Sequence, residues 1–103
     1  MSDPRRVASL GEVPAGQPKL VELDGIRLVL ARVGDAVYAC GDVCPHRGGP
    51  LGEGKLNGIR LVCPWHGWMY DVRNGQCLFP GRGASVPSYP VRVDGDQVLV
   101  ELP

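Results

Sequence analysis

Five short turn signals constrain this 103-residue chain more than any other feature. They are Asp24-Gly25, Gly34-Asp35, Asn57-Gly58, Asn74-Gly75 and Asp94-Gly95. Asn-Gly and Asp-Gly supply the positive φ angles of two-residue hairpin turns, so each signal predicts two antiparallel strands joined back to back. Short apolar or alternating runs flank them, at residues 6–10, 20–23, 26–32, 36–40, 60–62, 69–72, 89–93 and 98–102. No stretch keeps a 3.6-residue period long enough for a helix beyond a single turn near residues 10–13. The expectation is therefore all-β, and the length suits one domain. No internal repeat is visible.

Composition matters where it removes alternatives. The 15 glycines and 10 prolines are scattered through a chain that is 44% hydrophobic, which suits a folded domain rich in tight turns better than a disordered one. Eleven basic and eleven acidic side chains leave no basic excess, so neither a nucleic acid nor a membrane surface is an expected partner. The longest apolar run, residues 26–33, carries Arg27 and Arg32 and is far too short to span a bilayer. Residues 1–6 lead into no apolar leader segment, so the chain is expected to remain soluble in the cytoplasm. Structural disulfides are rare there, which favours metal binding over a disulfide framework for the four cysteines.

The chemistry concentrates in the middle. Residues 43–82 are rich in Gly, Pro, Cys, His and Trp, whereas 1–42 and 83–103 are regular strand–turn–strand sequence. Two motifs stand out, Cys44-Pro45-His46 and Cys63-Pro64-Trp65-His66, with sixteen residues between them. Both histidines of the chain lie here, each beside a cysteine. Pro45 and Pro64 stiffen the loops, and Gly48, Gly49 and Gly67 let backbone approach an inorganic core. Zinc binds two cysteines and two histidines tetrahedrally, but its usual spacing pairs Cys with Cys and His with His. One Cys and one His per loop suits a two-iron cluster instead, with both thiolates on one iron and both imidazoles on the other. A two-iron cluster, a zinc site and no metal are the three readings at this point. Cys40 and Cys77 are either a disulfide or alternative ligands, or else small buried residues in strands or their flanks; the second is preferred.

The residues 44–51, CPHRGGPL, and 63–75, CPWHGWMYDVRNG, resemble the Rieske family, especially the free ferredoxins of bacterial ring-hydroxylating dioxygenases. The later FPGRGASVPSYPV, residues 79–91, resembles that family's proline-bearing covering loop. The resemblance implies a single Rieske domain over 1–103, with a cluster-binding lobe at 43–82 inserted in a base made of 1–42 and 83–103. The base would be an antiparallel β-sandwich or barrel, and the whole a three-sheet antiparallel fold with the cluster at one tip. It implies one [2Fe–2S] cluster, with Cys44 and Cys63 on the buried iron and His46 and His66 on the outer one. No catalytic residue is expected. The function implied is a soluble, monomeric one-electron carrier that docks transiently with a flavin-containing reductase and a terminal oxygenase. The alternative is the small Rieske-like subunit of an assimilatory nitrite reductase. A stand-alone oxygenase would need two further histidines and a carboxylate around an open iron, and both histidines are committed.

Departures within the family set the expected potential. High-potential members carry a disulfide between two extra loop cysteines; the matching positions here are Gly49 and Trp65. Their serine near a bridging sulfide is matched by Trp68. Fewer donors to sulfur stabilise the added electron less, which places the potential toward the low end of the Rieske range, roughly −150 mV. Tyr70 matches a tyrosine that donates to a ligand cysteine sulfur in those proteins. Trp65 is expected to shield or dock, Trp68 to pack beneath the loop, Leu51 to join the core, and Phe79 and Pro80 to belong to the covering loop. Arg47, Arg60, Arg73 and Arg82 are either solvated surface or a ring that steers an acidic partner.

Overall fold

The computed structural model describes residues 4–43, 50–65, 67–81 and 83–102. Its strands are β1 (Arg5–Ser9), β2 (Lys19–Leu23), β3 (Ile26–Val33), β4 (Ala36–Gly41), β5 (Lys55–Asn57), β6 (Arg60–Val62), β7 (Met69–Asp71), β8 (Cys77–Phe79), β9 (Ser88–Tyr89), β10 (Val91–Asp94) and β11 (Gln97–Val100). They form three antiparallel sheets, ordered β1-β11-β10, β2-β3-β4-β9 and β5-β6-β7-β8. The all-β expectation holds.

The middle sheet organises the core because side chains alternate across a strand. On β3, Leu28 and Leu30 face a cluster with Ala8, Val98 and Val100 of the first sheet, while Val29 and Ala31 face a second cluster with Leu61, Tyr70 and Val72. On β4, Val37 and Ala39 join the first cluster and Cys40 the second. A strand buried on both faces carries apolar residues at consecutive positions, which is why residues 28–31 show no alternation.

Three details differ from the sequence reading. The run 89–93 is two strands in different sheets: β9 pairs with β4, β10 pairs with β11, and Pro90 lies between them. Proline has no N–H for a ladder, so the chain changes sheets there. Strands β5 and β8 fell outside the sequence-predicted runs. Only Leu56 is buried in β5, and β8 exposes Leu78 and Phe79, so neither three-residue strand shows a period. The turn signals also resolve differently from one another, and Asn74-Gly75 lies in a five-residue loop, 72–76, instead of a two-residue turn. Asp24 and Gly25 both take positive φ (52° and 79°) and form the loop between Leu23 and Ile26. At Asn57-Gly58 the loop is instead Gly58-Ile59, with Asn57 paired to Arg60 as the last strand residue.

The helical turn near residues 10–13 is a 3₁₀ turn at Leu10–Glu12, entered where the Ser9 N–H donates to Glu12 Oε1 at 2.7 Å. No helix among the described residues is long and apolar enough to cross a membrane.

Candidate metal centre

Each motif departs from a two-stranded stem. After β4, Val43 and Pro50 form an antiparallel bridge. The Leu51 N–H donates to the Asp42 carbonyl at 2.7 Å, and the Gly52 N–H donates to Asp42 Oδ1 at 2.7 Å. The two ends of segment 44–49 are thereby held side by side. A 3₁₀ turn at Leu51–Glu53 follows and buries Leu51 completely, as expected for a core position.

The second stem is the β6–β7 hairpin. Beyond the Val62–Met69 pair, the Cys63 N–H donates to the Trp68 carbonyl at 2.8 Å and the Gly67 N–H to the Cys63 carbonyl at 3.1 Å. Gly67 closes this tight loop at φ +72°, a conformation that a Cβ would strain. Cys63 is only 2% exposed and lies in the same apolar cluster as Leu51 and Tyr70.

Gly54 lies against the second stem. A Cβ built on it would lie 1.9 Å from the Val62 carbonyl oxygen and 3.2 Å from Pro64 Cδ. Backbone therefore packs on backbone immediately before Cys63, and only glycine fits.

Cys63 is the one sequence-predicted ligand that the structure describes. Cys44, His46 and His66 lie outside the described residues, as do Pro45, Arg47, Gly48, Gly49 and Arg82. Among the described residues, no three His, Cys, Asp or Glu side chains come together as a competing metal site. Cys40 and Cys77 are free thiols. Cys40 is fully buried, and that burial, reinforced by Asp42, pushes its thiol up to about 12, so it stays protonated and inert. The half-buried Cys77 donates its S–H to the Phe79 carbonyl at 3.2 Å.

Trp68 packs against the core, as expected, and Trp65 is 55% exposed. Phe79, 60% exposed, ends β8 opposite Met69. Arg60 is exposed on β6. Arg73 is committed: its Nε and Nη2 donate to the buried Asp71 carboxylate at 3.0 and 2.8 Å. Those bonds hold the Asp71 carboxyl below its usual range against the opposing effect of burial.

Two structural residues escaped the sequence reading, Asp42 and Gly54. The trace of Asp42 in the sequence is an acid placed directly after an apolar strand, two positions before Cys44. Gly54 leaves no such trace, because a close backbone contact depends on a partner eight residues away.

The comparisons with known proteins agree with this geometry. The Rieske [2Fe-2S] domain matches residues 3–90, and the chain belongs to that family. It is 31% identical over 94 residues to the ferredoxin component of the naphthalene 1,2-dioxygenase system of Pseudomonas aeruginosa, covering 91% of this chain and 90% of that protein. The fold superposes on the ferredoxin of carbazole 1,9a-dioxygenase from Nocardioides aromaticivorans IC177 with a TM-score of 0.89 at 35% identity, covering 96% and 97% of the two chains. A complex of reduced oxygenase and oxidized ferredoxin in carbazole 1,9a-dioxygenase also matches, at TM-score 0.88, 28% identity and coverage of 98% and 94%.

Membership implies one Rieske-type [2Fe–2S] cluster. The residues present fit it. Two thiols and two imidazoles are the donor set of such a centre. The described cysteine, Cys63, is withdrawn from water and framed by a glycine-closed loop. The zinc and metal-free readings are set aside.

Proposed function

We propose that this chain is a one-electron carrier that accepts an electron from a flavin-containing reductase and passes it to a terminal oxygenase. The supporting observation is mutual coverage: the chain and a dioxygenase ferredoxin span nearly all of each other, at 96% and 97%. The chain is thus an electron-transfer component and not a catalyst.

In this reading Cys44 and Cys63 hold one iron, and His46 and His66 hold the other. The bound cluster supplies a single reversible electron step. The protein supplies the rest. Two neutral imidazoles in place of two thiolates leave the oxidised site near neutral, so an added electron meets less repulsion than in a four-cysteine site. Burial of Cys63 keeps water from one thiolate. Around the motifs, Val43 (59% exposed), Trp65 and Phe79 offer apolar surface for a small, transient encounter of the kind redox partners make. Monomeric state and a cytoplasmic location complete the proposal.

The test is reconstitution. Purified protein combined with a flavin reductase, NADH and a Rieske oxygenase from a ring-hydroxylating system is expected to sustain product formation. Omission of the chain should abolish it. Reduction by no reductase, or co-purification in a fixed complex with a nitrite-reducing enzyme, would overturn the carrier role.

A further inference from the structure

Among the described residues two carboxylates are buried, Asp42 and Asp71. Asp71 is satisfied within its own turn by Arg73, two residues away. Asp42 is different, because it ties together segments distant in sequence. Its N–H donates to the Arg27 carbonyl on β3 at 3.3 Å, and its carbonyl accepts from the Leu51 N–H at 2.7 Å. Oδ1 accepts from the Gly52 N–H at 2.7 Å, and Oδ2 faces Arg27 Nη2 at 3.3 Å. A Cβ on Gly52 would stand 3.0 Å from that Oδ1 and 3.2 Å from Leu20 Cβ, so the backbone is seated closely on the carboxylate. The side chain is 2% exposed, while Arg27, its one charged partner among the described residues, is 50% exposed. Burying a carboxylate is costly unless it is paired and hydrogen-bonded; the Gly52 N–H and Arg27 provide this for Asp42.

We infer that Asp42 is a positioning residue for the first ligand segment and that its charge, incompletely offset by Arg27, lowers the cluster's potential. This rests on the carrier reading above and deepens it. The latch holds the two ends from which residues 44–49 depart, one strand spacing apart. The charge acts because a fixed anion two residues from a ligand cysteine disfavours an added electron, and burial limits its screening. Arg27, half in water, compensates only in part.

The two effects separate by substitution. Asp42→Asn keeps an oxygen that accepts from the Gly52 N–H and removes the charge. Its cluster is expected to load normally, with the reduced-to-oxidised ratio at fixed potential raised about tenfold, which is about 59 mV for one electron. Arg27→Gln keeps the latch and exposes the cluster to the uncompensated anion, so its potential is expected to shift the opposite way. Asp42→Ala also removes the side-chain part of the latch, the bond from the Gly52 N–H. It should lose visible absorbance to an iron chelator several-fold faster than wild type and give a broadened electron paramagnetic resonance spectrum. A purely structural role would not produce shifts of opposite sign. Unchanged potentials in Asp42→Asn and Arg27→Gln, shifts of the same sign, an Asp42→Asn protein that fails to load, or an Asp42→Ala protein as chelator-resistant as wild type would each overturn the inference. Wild-type protein without iron and acid-labile sulfide would instead defeat the carrier reading itself.

Discussion

Tyr70 has no exposed surface and shares its apolar cluster with Cys63. A phenol in that position can donate to a thiolate only if its ring is held in place, and the packing around β7 does that. Tyr70→Phe is therefore expected to lower the midpoint potential measured by protein-film voltammetry; an unchanged value would remove the donor role. Arg73 affords a second test. Its hydrogen bonds hold the Asp71 carboxyl below the ordinary carboxylate value. A depressed carboxyl contributes stability that is fully present above its unfolded value and is lost as pH falls through the folded one. Arg73→Met is thus expected to lower the denaturant midpoint near neutral pH, followed by circular dichroism, with the difference from wild type narrowing as pH falls through the folded value. An unmoved midpoint would show that the pair is solvated decoration. The four candidate ligands are legible in the sequence because Cys and His are rare and their spacing is chemical. The sequence could not show that Arg73 is engaged and not free, or that Asp42 is buried. Both facts depend on which side chains the folded chain brings within 3.3 Å of each other.

Among elements, the two stems matter most. Each is an antiparallel pair closed by backbone hydrogen bonds, and Gly54 lets the chain leaving the first pack against the second. Gly54→Ala would force a methyl group to within 1.9 Å of the Val62 carbonyl oxygen, which requires the backbone to move. Overpacking a well-filled site costs about 1–3 kcal/mol, and a main-chain obstacle yields less readily than a side chain. The variant should melt measurably earlier and bleach faster in air; a wild-type melting temperature would contradict the close approach. The hairpins β2–β3 and β3–β4 were legible because turn chemistry and hydrophobic runs agree there. The division of residues 88–94 between two sheets was less so, since Pro90 signals an interruption without saying where the chain goes next.

At the scale of the molecule, a central sheet buried on both faces links a base sheet to the sheet that carries the second motif. This arrangement provides a rigid mount and little apparatus for catalysis, which suits a carrier. Imidazole ligation has its own signature, because ligand ring N–H groups ionise more readily when the cluster is oxidised. The potential is expected to stay flat near neutral pH and to fall at alkaline pH, and a pH-independent potential in strong alkali would exclude two histidine ligands. Resemblance to dioxygenase ferredoxins supplied the function that geometry alone leaves open, because a fold does not dictate its partner.

The most direct check is elemental: iron, zinc and acid-labile sulfide measured per chain in freshly purified, anaerobically handled protein. Two irons and two sulfides with visible colour are expected of a Rieske centre. Folded, colourless protein with one zinc, or with no metal, would contradict it.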